Sequence, residues 1–186
     1  MKILFSLFLT IVSFNVNFAQ IRLSDFFDTT IAKDMAVNNA KRYNKINGSP
    51  YINTVFMNGL IGENKQPFLL RYNAESDEIE LKLDEDNIYV IPKETKFQNI
   101  SIGLNNYKLT SYTDSKGQFV TGYLIEKSKG AISLMKREKM IIKPEKIAQS
   151  SYETYEPAKF IRGNDEYYLK LKDNSVVAFP KNKKGI

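Results

Sequence analysis

Seven carboxylates crowd into one short stretch of the chain, at Glu75, Asp77, Glu78, Glu80, Asp84, Glu85 and Asp86. Two such groups facing each other across a cleft can hydrolyse a glycosidic bond, one as the acid and the other as base or nucleophile. Oxygen-rich turns also suit calcium. The residues between them argue for a simpler use. Glu78 and Glu80 alternate with Ile79 and Leu81, which places both acids on the polar, solvated face of a strand. Asp84-Glu85-Asp86-Asn87 lacks the glycine and the terminal glutamate of a helix-loop-helix calcium loop. No metal ligands are assigned, and Asp84 and Asp86 remain the place where calcium would suit the residue types.

The missing residue types narrow the chemistry further. With no His and no Cys, the chain builds neither a Ser-His-Asp nor a Cys-His nucleophile, and it lacks the usual zinc ligands. It has no glycine-rich phosphate loop and no dinucleotide fingerprint. An enzyme of this composition would have to work with carboxylates, Lys, Tyr, Ser or Thr. The expectation is a non-enzyme with no catalytic residue, no cofactor and an unknown ligand-binding residue set. Tyr72, Tyr107, Tyr112, Tyr123, Tyr167 and Tyr168 are the residues able to line a sugar- or lipid-binding face, since the ring is apolar and its tip polar. Cross-strand packing is the commoner use of such tyrosines.

The acidic stretch belongs to the clearest structural pattern in the sequence, Gly59 to Leu83. Phe68, Leu70 and Tyr72 point one way, and Leu69 and Arg71 the other. Past the polar break Asn73-Ala74-Glu75-Ser76, Ile79, Leu81 and Leu83 share one face, opposite Glu78, Glu80 and Lys82. Period two on both sides of a turn cluster predicts an antiparallel hairpin with one buried face. Folding about Ala74-Glu75 predicts the pairs Leu70–Ile79, Phe68–Leu81 and Arg71–Glu78.

Residues 1–19 read as a signal peptide. Lys2 precedes the apolar run Ile3–Phe14, and Asn17-Phe18-Ala19 approximates a small-residue cleavage site. Cleavage near Ala19 predicts a secreted or periplasmic protein. Residues 20–50 are an N-terminal segment with one short helix. Asp28 or Ser24 would cap it, and Phe27, Ile31 and Met35 would form its buried stripe beside Ala32, Ala36 and Ala40. Asn47-Gly48-Ser49-Pro50 ends it. Residues 51–186 read as an antiparallel β-meander domain of strand, turn and strand, with an irregular or partly helical connection at Pro144–Pro157. One further hairpin should pair Ile125 with Ile132 and Tyr123 with Leu134, around Lys127–Gly130. The fold class expected is all-β, mainly an antiparallel meander in a curled or barrel-like sheet, with one short N-terminal helix.

Charge is unevenly placed. Residues 20–119 hold 12 Lys and Arg against 13 Asp and Glu, whereas residues 120–186 hold 14 against 8. A basic C-terminal third suits an acidic partner, but exposed lysines also keep strand faces and edges soluble. The sequence predicts no membrane span and no nucleic-acid partner, and leaves the oligomeric state open.

Asn47-Gly48-Ser49-Pro50-Tyr51, Arg71-Tyr72-Asn73-Ala74 and Asp77-Glu78-Ile79-Glu80 together resemble a group of small uncharacterised secreted proteins of Bacteroidetes-type bacteria. The resemblance covers about Tyr43 to Leu83 and extends to the later meander only in general character. It implies a signal peptide and a β-rich exported domain, and it carries over no catalytic residue. The functional expectation is an exported non-enzymatic module binding protein or cell-envelope components. The alternatives are a carrier with an apolar barrel-like pocket and a carboxylate-based hydrolase.

Overall fold

The computed structural model describes residues 27–150 and 152–179. The signal peptide, the Ser24 cap and the closing stretch Lys181–Ile186 lie outside the described residues. Among the described residues one α-helix, α1 (Thr29–Tyr43), precedes twelve strands, with a single 3-10 turn at Thr95–Phe97. These are β1 (Met57–Ile61), β2 (Phe68–Asn73), β3 (Glu78–Lys82), β4 (Ile88–Val90), β5 (Asn99–Ile102) and β6 (Asn105–Thr113). There follow β7 (Phe119–Glu126), β8 (Ser133–Arg137), β9 (Met140–Lys143), β10 (Lys159–Arg162), β11 (Glu166–Lys170) and β12 (Val176–Ala178). Ten of them form one curled antiparallel sheet, ordered β12-β11-β8-β7-β6-β5-β1-β2-β3-β4, and β9 pairs with β10 alone. The architecture is all-β with one helix, as the alternation implies.

Asp28 caps α1, its Oδ1 accepting from the amides of Thr30 (2.9 Å) and Ile31 (3.2 Å). The buried stripe is only partly the one expected: Phe27 and Ala32 are inside, but Ile31 is not. Ala32 is buried while Ile31 is 60% exposed, so the inward face is turned by one residue. Asn39, seven residues on from Ala32, donates its side-chain amide to Glu78 Oε2 (2.5 Å). A small residue and a polar anchor let the helix lie close to the sheet. Phe27, just before the helix, packs edge-on against Phe97.

The β2–β3 hairpin exists, but its register is shifted by two residues from the one expected. Leu70 faces Leu81, Tyr72 faces Ile79 and Arg71 faces Glu80. Turn chemistry explains the shift. Asn73 Oδ1 accepts from the amides of Glu75 (3.1 Å) and Ser76 (3.2 Å), and Asp77 takes a left-handed φ of 58°. The loop therefore includes all of Ala74–Asp77. A two-residue shift keeps every side chain on its face, so Leu70, Tyr72, Ile79 and Leu81 are buried as anticipated. Leu83 falls beyond β3 and is exposed.

The opposite face of this hairpin is covered at Arg71 and Glu80, while Leu69 on the same face is exposed. Arg71 Nη2 and Nε donate to Glu80 Oε2 (2.7 and 3.2 Å), and Arg71 Nη1 donates to the Thr54 carbonyl (3.0 Å). The guanidinium lies 3.6 Å from the Tyr51 ring centre and 4.1 Å from that of Phe56. Tyr51 also donates its hydroxyl to Glu80 (2.9 Å). Glu80 is only 3% exposed, a buried ion pair under a lid of aromatic rings.

The sheet splits at β7. Strand β8 pairs with it only at Ile125–Lys136 and Glu126–Met135, four residues out of the expected register. The connecting loop runs to Ile132, which is exposed, and the Ser128 hydroxyl holds it by accepting from the Leu134 amide (3.0 Å). Beyond the split the two halves bury opposite faces. Leu109 and Tyr123, opposite one another across β6–β7, belong to a first core with Leu70, Tyr72, Ile79 and Ile100. Tyr112 and Leu124, of the other parity on the same strands, belong to a second core with Met135, Tyr168 and Val176. Strand β12 lies beside β6 across this second core.

Asp77 fills the split. Its carboxylate accepts from the Tyr123 amide (3.2 and 3.3 Å), the Tyr72 hydroxyl (2.8 Å) and Lys93 Nζ (2.9 Å). Lys93 also donates to the Thr121 carbonyl (3.4 Å). Two side chains from the far end of the sheet thus occupy the edge of β7 that β8 has left, and they close the first core into a barrel-like curl. Its interior holds the packed side chains of Leu70, Tyr72, Ile79, Ile100 and Tyr123.

Candidate functional site

An open groove of about 790 Å³ lies at the end of the second core. Four connections meet there. Asp114 and Ser115 come from the β6–β7 turn, Lys139 and Ile141 from the β8–β9 corner, and Gly163–Tyr168 from the β10–β11 turn and β11. Ala178 and Phe179 come from the end of β12. Antiparallel pairing places Phe179 opposite Tyr167, and the Phe179 amide donates to the Tyr167 carbonyl (2.8 Å). The two rings therefore share a face, and each is a little under half exposed.

Glu166 is the polar centre of the groove. Its Oε1 accepts from Ser115 Oγ (2.5 Å) and Lys139 Nζ (2.9 Å), and its Oε2 from the Tyr168 hydroxyl (3.1 Å). Burial alone would raise its pKa, but the hydrogen bonds from Ser115 and Lys139 outweigh this and hold it below the ordinary glutamate value. Such a carboxylate is ionised near neutral pH. It is a poor general acid, and a weak base for the Ser115 hydroxyl. Tyr168 packs edge-on against Tyr112 (4.7 Å between ring centres), and Arg137 Nη1 donates to the Tyr112 hydroxyl (2.9 Å). Burial raises the pKa of both tyrosines.

The acidic stretch singled out in the sequence is not gathered into a site. Glu75 binds Arg42 and Tyr43, Glu78 binds Asn39, Glu80 binds Arg71, and Asp77 binds Lys93. The placement of Glu78 and Glu80 on a solvated face is thereby corrected. Asp84 turns its oxygens to the Asp86 amide (3.0 Å) and the Asn87 side chain (2.8 Å), and Asn87 accepts from Lys33 (2.8 Å). Among the described residues no three acidic side chains converge as metal ligands.

Of the six tyrosines considered, Tyr72, Tyr107, Tyr112, Tyr123 and Tyr168 are buried in the two cores, and Tyr167 alone reaches the surface. Much of the basic third is paired internally. Lys136 contacts Glu138 and Asp165, Lys139 contacts Glu166, Lys143 and Lys159 contact Glu156, and Arg162 contacts Asp165. Among the described residues no helix is long and apolar enough to cross a membrane. Ser115, Lys139, Glu166 and Phe179 were not legible as a group, because they come from four separate connections and no local motif joins them.

No family model, no curated protein and no solved structure matches the chain.

Proposed function

We propose that this is an exported, non-enzymatic module that binds a protein or cell-envelope component through the groove at Tyr167 and Phe179. The observation that carries the reading is the groove itself. It is an open concavity of about 790 Å³, and it presents two half-exposed rings beside a polar cluster whose members are already fixed by one another. Fixed polar groups around an apolar floor are what a binding site needs, because little order has to be gained when a ligand arrives. The low basicity of Glu166 supports binding over turnover. The cluster of mutually packed side chains in the first core favours a surface site over an enclosed carrier pocket.

The experiment is capture from an envelope extract with the wild-type protein and with the Tyr167→Ala, Phe179→Ala double variant, together with a screen against generic hydrolase substrates. Capture that depends on the two rings, without turnover, is expected. Turnover abolished by Glu166→Gln in a folded protein would replace this reading with an enzymatic one.

A further inference from the structure

We infer that the groove takes a neutral saccharide, a deepening of the binding function proposed above. Its charges cancel locally. Lys136, Lys139 and Arg162 stand against Glu138, Asp165 and Glu166: Lys136 pairs with Glu138 (2.6 Å) and Asp165 (3.3 Å), Arg162 with Asp165 (2.5 Å), and Lys139 with Glu166 (2.9 Å). Little net field is left to select an anionic or cationic ligand. What remains is hydrogen-bonding capacity of both kinds. Asp114 spends Oδ1 on the amides of Lys116 (2.8 Å) and Gln118 (2.9 Å), while Oδ2 has no partner among the described residues. Asn164 is exposed, and its side-chain amide makes no hydrogen bond among the described residues. Lys139, with three ammonium hydrogens, uses one on Glu166.

Beside these groups stand the Tyr167 and Phe179 rings, 45% and 44% exposed on one face of the β11–β12 pair. A sugar ring has an apolar face of C–H bonds for an aromatic ring and a rim of hydroxyls that both donate and accept. That combination matches rings next to an open acceptor, an amide and a spare ammonium donor. A purely apolar ligand would leave these polar groups desolvated and unpaired, at a cost. A strongly charged ligand would find no unpaired charge to meet it except Asp114.

The test is titration of the isotope-labelled full chain with neutral oligosaccharides, namely trimers of N-acetylglucosamine, cellotriose and maltotriose, followed by amide shifts. At least one should give saturable shifts at Asn164, Tyr167 and Phe179 that do not weaken as salt is raised. Tyr167→Ala and Phe179→Ala should each weaken that binding about tenfold, with the amide spectrum otherwise unchanged. Asp114→Asn, which keeps an acceptor, should weaken it less than Asp114→Ala. No shift with any of the three sugars would overturn the inference. So would shifts at the groove produced instead by a Lys-rich or Glu-rich peptide and lost with salt. That second outcome leaves the binding function standing, whereas failure of the envelope capture above removes both.

Discussion

The carboxylate of Asp77 accepts the backbone amide of Tyr123 at 3.2 and 3.3 Å, across 46 residues of sequence. It occupies the place a neighbouring strand would take had β8 not turned away from β7. A buried strand amide must be paired, and here a side chain from a distant turn pairs it. The same carboxylate is bound by Lys93 and by the Tyr72 hydroxyl, so one residue joins three segments.

Asp77→Ala should therefore be among the most destabilising single changes in the barrel-like half. It leaves an ammonium group, a hydroxyl and an amide without their acceptor, at a cost of about 3–5 kcal/mol. Asp77→Asn retains an acceptor but no charge, and should cost less, about 2 kcal/mol. Urea unfolding measures both. Amide exchange gives the local readout, with Tyr123 protected in the wild type and opened by Asp77→Ala before the rest of the core. A loss under about 1 kcal/mol for the alanine variant would show that the split is closed by something else.

Gly122 tests the same contact from the other side. A Cβ built there would run into Asp77 Oδ2 and come within 3.2 Å of the Tyr112 hydroxyl. Gly122→Ala should cost about 2 kcal/mol or more by overpacking. In an Asp77→Ala background part of that clash is gone. The two changes should then be non-additive by about 1 kcal/mol or more in a double-mutant cycle. Simple additivity would place the strain at Gly122 elsewhere.

Period-two alternation made the strands and their inward faces legible, because burial of one face requires it. Leu70, Tyr72, Ile79 and Leu81 are inside as read. Registers were less legible, because they depend on turns. Asn73 and Asp77 lengthen the first loop, and Ser128 helps hold the β7–β8 loop. Alternation also cannot say what covers a polar face. Glu80 looks solvated in sequence and is buried because Tyr51 and Phe56 fold over Arg71. The groove was the least legible feature, since Ser115, Lys139 and Glu166 meet only after the sheet has split.

That buried pair gives a sharp comparison. Glu80→Gln leaves the Arg71 guanidinium, sandwiched between two rings, without its carboxylate, and should cost about 2–4 kcal/mol. Glu85→Gln is the control, since that side chain is 92% exposed, and it should stay within about 0.5 kcal/mol. Arg71→Lys should also be costly, because an ammonium replaces neither the two-point contact nor the stacking. Chemical denaturation of the three variants decides the matter. Equal, small effects at Glu80 and Glu85 would mean that the pair opens to water.

The dependence of stability on pH should carry the mark of buried tyrosines and of absent histidine. Burial raises the pKa of Tyr72, Tyr107, Tyr112, Tyr123 and Tyr168, with Asp77 adding to the rise at Tyr72 and Tyr123. An unfolded chain releases phenolic protons at about pH 10, while the folded chain holds them to higher pH. Folding therefore loses stability as pH rises past about 10, and five groups lose it together. At the acid end the sign is reversed. The lowered pKa of Glu166 contributes stability that is present above the unfolded glutamate value of about 4.3 and is lost as pH falls through the folded value. Between these limits there is no His to titrate, so melting temperature should be nearly flat from about pH 6 to about pH 9. Thermal melts across pH, read alongside phenolate absorbance, test the expectation. The full phenolate absorbance of all 11 tyrosines, reached near pH 10 in a still-folded protein, would show that these five are open to solvent.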